Sequence, residues 1–148
     1  MGTLEIKKIK KEDITKEFMA KLKLAFPIEE ENPNWNFNKT KQFVSNDKNI
    51  LLIGYMLGNM AGFLFGHTLD RFDNQKQFFI YELYTSKAYR REKVMSSILN
   101  FLLEMLKKEK FTSAWVLSNR SNKSAVAFYT NTSGSIPNGY DILFEYKL

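Results

Sequence analysis

Leu4 and Ile6 alternate with Glu5 and Lys7, so the span from Leu4 to Ile9 reads as a short strand. Lys11-Glu12-Asp13-Ile14 then opens a helix, with Asp13 as its candidate N-cap. Ile14, Phe18, Leu22 and Phe26 recur at fourfold spacing and set one face against a core, and Pro27 ends the helix. Ile28 to Lys39 is acidic, then asparagine-rich, and reads as a surface segment. A second helix is expected from near Asn38 to Val44. Asn49 to Tyr55 is a strand, Gly58-Asn59 a turn, and Met60 to Thr68 the returning strand of a hairpin, with Met56 and Met60 in the core. After the polar loop Leu69 to Lys76, Phe78 to Leu83 forms a third strand whose aromatic content implies burial on both faces.

Helical spacing returns at Val94, Ile98, Leu102 and Met105, followed by a strand from Phe111 to Leu117. Asn119 to Thr130 reads as loop then helix. Residues 133–139 are turn-rich, and Tyr140 to Tyr146 forms a last strand. The order of elements predicts one α/β domain over residues 1–148, with a mostly antiparallel sheet. The strand–helix–strand unit from Phe78 to Leu117 supplies one parallel pair.

Composition narrows the chemistry. The 148 residues are 44% hydrophobic and 15% aromatic, enough for a packed core. No apolar run approaches a membrane span and no leader pattern opens the chain, so the cytoplasm is the expected compartment. With no cysteine and a single histidine, His67, thiol catalysis and cysteine-based metal sites are excluded, and no metal is expected. His67, at a strand end beside Asp70, reads as a surface residue. A net charge of +6 suits an anionic ligand, but the lysines are dispersed, which disfavours nucleic acid.

The charge concentrates usefully at one place. The buried strand from Phe78 is followed by a short turn carrying Arg90, Arg91 and Lys93, and then by the long helix. Unpaired N–H groups in a first helical turn, flanked by basic side chains, form an anion-binding geometry. Glu82 stands in the otherwise apolar strand, where a carboxylate is costly unless it is paired or faces a cleft. It is a candidate base or amine anchor, or else an exposed strand residue or an ion-pair partner of a nearby arginine.

Two motifs carry a family resemblance over nearly the whole chain. Asn122-Lys123-Ser124-Ala125-Val126-Ala127-Phe128-Tyr129, with Asn119 upstream, is similar to the Asn-x-x-Ala-x-x-Phe/Leu-Tyr run of the GNAT superfamily of acyl-CoA-dependent N-acyltransferases. Arg90-Arg91-Glu92-Lys93-Val94-Met95 resembles that family's pyrophosphate loop at its first position, with Lys93 and Met95 where small residues are usual. Ile80-Tyr81-Glu82-Leu83 with the arginines after it resembles the aminoglycoside 3-N-acetyltransferase branch.

The resemblance implies a mixed sheet with a splayed parallel strand pair flanked by helices. It also implies acetyl-CoA as acyl donor, bound along Leu83, Tyr84 and Thr85 and by Arg90, Arg91, Glu92, Lys93, Val94, Met95 and Ser96. Tyr129 is then the general acid beside the leaving thiolate. Asn122 caps the last helix or touches the pantetheine region, with capping the stronger expectation. The implied reaction is direct acetyl transfer to a primary amine of a small molecule, aminoglycoside-like by the branch resemblance. Tyr81 and Tyr84 are candidate acceptor-site residues or ordinary packing, and Glu29 to Glu31 a candidate acidic rim. Lys93 and Met95 leave a second reading open, a non-catalytic binding protein of the same fold with a degenerate cofactor loop. Exposed aromatic strand edges near the C-terminus leave a homodimer open.

Overall fold

The computed structural model describes residues 3–90, 92–139 and 142–148. The chain divides into two units, residues 1–117 and 118–148. The first holds β1 (Leu4–Lys8), α1 (Lys16–Ala25), α2 (Phe37–Ser45), β2 (Asn49–Met56), β3 (Asn59–Asp70), β4 (Lys76–Thr85), α3 (Val94–Lys108) and β5 (Ser113–Val116). The strands lie in the order β1-β2-β3-β4-β5. The first three pairings are antiparallel, and β4 with β5 is parallel across the α3 connection. This is the mixed, mostly antiparallel sheet with one parallel pair that the sequence predicts.

Strand alternation separates the two faces. Leu51, Ile53 and Phe63 point to one side and bury the apolar stripe of α1, where Leu22 and Phe26 are fully buried. The opposite face receives α3. A Cβ at Gly62 would sit 3.0 Å from a Val94 methyl and 3.1 Å from an Ile98 methyl. Its cross-strand partner Gly54 is equally close to Ile98. This bare patch lets the first turns of α3 lie directly on the sheet, which fixes where that helix begins.

Several elements depart from the pattern reading. Thr15, not Asp13, caps α1, its hydroxyl accepting from Phe18 N–H at 3.0 Å. Asp13 instead closes a 3-10 turn over Lys11–Asp13, accepting from Lys10 N–H at 2.8 Å and from Lys7 at 3.0 Å. The segment after Pro27 is not all surface: Asn32 is buried, and Trp35 packs edge-on against Phe63 while its indole N–H donates to the Phe26 carbonyl at 3.2 Å. The loop expected over Leu69 to Lys76 shrinks, because β3 and β4 pair as far as Asp70 and Lys76. β5 covers only the middle of its predicted span.

The second unit contains α4 (Lys123–Asn131), capped by the Asn122 side chain, which accepts from Ala125 N–H at 3.1 Å. In the final strand expected from Tyr140 to Tyr146, Tyr140 and Asp141 lie outside the described residues. Ile142 to Leu148 form no strand, and their apolar side chains are exposed. Its β-branched and aromatic residues give this segment strand propensity, but propensity without a paired neighbour does not make a strand.

Candidate active site

The distinctive feature of β4 is a β-bulge. Phe65 pairs with Glu82 and Gly66 with Ile80, so Tyr81 is an extra residue opposite no partner of its own. Gly66 permits it, since a Cβ there would lie 2.1 Å from the Phe79 carbonyl oxygen. In a regular strand consecutive side chains point to opposite faces. At a bulge two residues oppose one, and the alternation is reset.

The contacts show the consequence. Tyr81 stacks on Phe65 at 5.8 Å with an interplanar angle of 11°. Glu82, directly opposite Phe65, shares that face. Tyr84 lies there too, against Phe26 and Phe63. The strand is therefore not buried on both faces as its composition implies: Tyr81 is 60% exposed.

Glu82 is half-buried and has no hydrogen bond or ion pair among the described residues. Burial alone pushes its carboxyl above the ordinary value of 4.5. Among the described residues it is thus neither fully solvated nor an arginine's partner. Tyr84 is engaged instead: its hydroxyl donates to Glu30, which Lys87 also approaches at 3.8 Å. Of the three glutamates in the predicted acidic rim, Glu30 alone is drawn to the strand in this way.

The end of β4 is open on its outer side. Its ladder with β5 stops at Ile80 and Val116, and β4 continues to Thr85. The main chain around Leu83, Tyr84 and Thr85 has β3 on one side and no strand on the other among the described residues. Thr85 is 4% exposed, and its hydroxyl has no partner among the described residues. An unpaired buried hydroxyl beside an open strand edge fits a polar ligand.

Arg90 folds back toward this edge, its Nε donating to the Thr85 carbonyl at 3.3 Å and its guanidinium 5.9 Å from the centre of the Tyr84 ring. Arg91 lies outside the described residues. Lys93 does not continue the helix. It takes the left-handed conformation, φ 57° and ψ 24°, just before Val94. The N–H groups of Val94, Met95 and Ser96 have no acceptor within the helix, and that of Ser97 is the first to find one, the Lys93 carbonyl at 3.1 Å. The Val94 side chain is buried in the core, Met95 is partly exposed, and Glu92 and Lys93 are exposed. The Ser96 hydroxyl donates to the Lys93 carbonyl at 3.1 Å.

The first unit thus gathers Glu82, Leu83, Tyr84, Thr85, Arg90 and residues 92–96. Asn122 and Tyr129 lie in the second. Tyr129 packs edge-on against Phe128 at 5.2 Å, and burial raises its hydroxyl above 10.0. His67 is not in a polar loop: it lies within β3, with its ring 5.9 Å from those of Phe79 and Tyr81.

An α/β sheet with a basic helix start beside an open strand edge and a half-buried carboxylate suits a group-transfer enzyme with an anionic donor. The acetyltransferase (GNAT) family model matches residues 12–134, and the chain belongs to that family. It is an acetyltransferase whose acyl donor is acetyl-CoA. Among solved structures, the fold matches the aminoglycoside acetyltransferase meta-AAC0020 from an uncultured soil metagenomic sample, with TM-score 0.83, 15% identity, and coverage of 98% of this chain and 96% of that one. The ribosomal-protein-alanine N-acetyltransferase of Brucella melitensis biovar Abortus 2308 matches with TM-score 0.74, 12% identity and 97% and 99% coverage. The aminoglycoside N-acetyltransferase AAC(6')-Iy in complex with CoA matches with TM-score 0.76, 11% identity and 99% and 96% coverage. A search of curated protein sequences finds no match.

The residues present fit the donor. The free N–H groups at the start of α3 and the guanidinium of Arg90 suit a pyrophosphate, and the open β4 edge with the Thr85 hydroxyl suits an amide-bearing arm. Lys93 adopts the left-handed backbone conformation for which glycine is usually needed.

Proposed function

We propose that this protein acetylates a primary amine of a small molecule by direct transfer, with Glu82 as the base that receives the amine proton. The half-buried, unpaired Glu82 carries the proposal. A carboxylate whose pKa is raised toward neutrality holds a proton more firmly than an ordinary one, and so accepts it more readily from an ammonium. Acetyl-CoA, when bound, supplies the activated acetyl thioester. Leu83, Tyr84 and Thr85 hold its arm by main-chain groups and the Thr85 hydroxyl. Arg90, Arg91 and the main chain of Glu92 to Ser96 hold its phosphates.

Tyr129 is the proton donor for the leaving sulfur. Burial keeps its phenol protonated across the physiological range. Asn122 is given a structural role, since its side chain is committed to the cap of α4. An aminoglycoside-like acceptor is supported by the branch resemblance and by the aminoglycoside acetyltransferases that share the fold, one of them bound to sisomicin. Steady-state kinetics of Glu82→Gln test the assignment. Turnover falls about 100-fold, the scale of general acid–base catalysis, and the acid limb of the pH profile disappears. A variant with the wild-type rate and pH profile removes Glu82 from the role.

A further inference from the structure

The bulge at Tyr81 has an effect that the acetyl-transfer assignment does not use. It places the most exposed aromatic side chain of the sheet on the same face as the half-buried carboxylate next to it. Tyr81 is also part of a continuous aromatic strip. Trp115 on β5 lies 4.4 Å from Phe79, Phe79 lies 5.0 Å from Tyr81, and Tyr81 stacks on Phe65, the residue opposite Glu82. Trp115 is 40% exposed, so the strip presents rings to solvent at both Tyr81 and Trp115.

Four strands of the sheet belong to one antiparallel meander, and a regular β4 would have turned either Tyr81 or Glu82 to the α3 side. Instead a mostly apolar aromatic strip runs up to the Glu82 carboxylate on one face. That combination is complementary to a molecule with a ring and an amine a short arm away: the ring faces the strip, and the amine reaches the carboxylate.

We infer that the strip from Trp115 through Phe79 and Tyr81 to Phe65 is a docking platform for the ring of a primary-amine acceptor whose amine is delivered to Glu82. The inference deepens the assignment of Glu82 as the base, and rests on it for the direction in which the acceptor lies. The occupant is a primary amine whose ring presents an apolar face to stack, a chemistry shared by an aromatic ring and the saturated ring of an amino sugar.

The test uses the whole protein and Tyr81→Ala, a substitution at an exposed side chain that leaves the buried face of β4 intact. Phenethylamine, glucosamine and n-butylamine are titrated by calorimetry without acetyl-CoA, and then compared as acceptors with it. The platform predicts that at least one ring amine binds more tightly than n-butylamine. Tyr81→Ala weakens that ring amine about five- to tenfold, in affinity and in KM, while n-butylamine and acetyl-CoA affinity are unchanged. Which ring amine responds identifies the kind of ring. Equal effects on ring and open-chain amines, no effect on either, or no ring-amine binding overturns the platform. Ring-amine binding that depends on Tyr81, without acetyl transfer, leaves the platform standing and overturns the proposed role of Glu82.

Discussion

Burial moves the two candidate proton-transfer groups in the same direction, with opposite consequences. Raising the Tyr129 phenol keeps a donor protonated, whereas raising the Glu82 carboxyl makes a base at the expense of folding. The sign follows from linkage. A carboxyl whose folded pKa exceeds its unfolded value binds more protons in the native state. Stability therefore falls as pH rises from the ordinary carboxylate range through the raised native pKa. Glu82→Gln removes that loss: the variant melts at a higher temperature than wild type at neutral pH, and the two converge below 4.5, as thermal melts across pH would show. The substitution expected to lower turnover about 100-fold is thus expected to stabilise the fold. Tyr129→Phe separates the other role, with kcat reduced about 100-fold and acetyl-CoA affinity nearly unchanged by calorimetry.

At the scale of elements, the start of α3 is the proposed donor site, and its geometry rests on the bare sheet patch at Gly54 and Gly62 together with the left-handed Lys93. A non-glycine residue there is strained by about 1 kcal/mol. Lys93→Gly relieves the strain, the extra chain entropy of glycine offsets about 0.5–1 kcal/mol of that gain, and stability rises by at most about 0.5 kcal/mol, or roughly 1–2 °C in Tm. A lower Tm would mean that the lysine side chain contributes contacts outweighing its backbone strain. The bulge in β4 is the other determining element, because without it Tyr81 and Glu82 would not share a face.

For the whole molecule, periodicity was sufficient to order the strands and helices and to place the parallel pair, since burying one face of each element leaves a clear pattern in the chain. The basic turn at Arg90 and the odd carboxylate at Glu82 stood out for the same reason: charge interrupts apolar runs. What the pattern did not carry are effects of register and of distant partners. A bulge changes facing without changing composition. The Tyr84–Glu30 hydrogen bond joins residues 54 positions apart. Thr15 took the cap from Asp13 because the chain makes a 3-10 turn first. The left-handed Lys93 was hinted at only by the glycine that related loops use at its position. Among the described residues no helix is long and apolar enough to cross a membrane.

The central claim is that the start of α3 and the open edge of β4 hold acetyl-CoA despite Lys93 and Met95. Calorimetric titration of acetyl-CoA into the wild-type protein tests it most directly. Saturable binding with one site per chain is expected, weakening as salt is raised because phosphate contacts carry much of it. No heat of binding at acetyl-CoA concentrations up to about 1 mM, the upper range of ordinary enzyme KM values, would contradict the account.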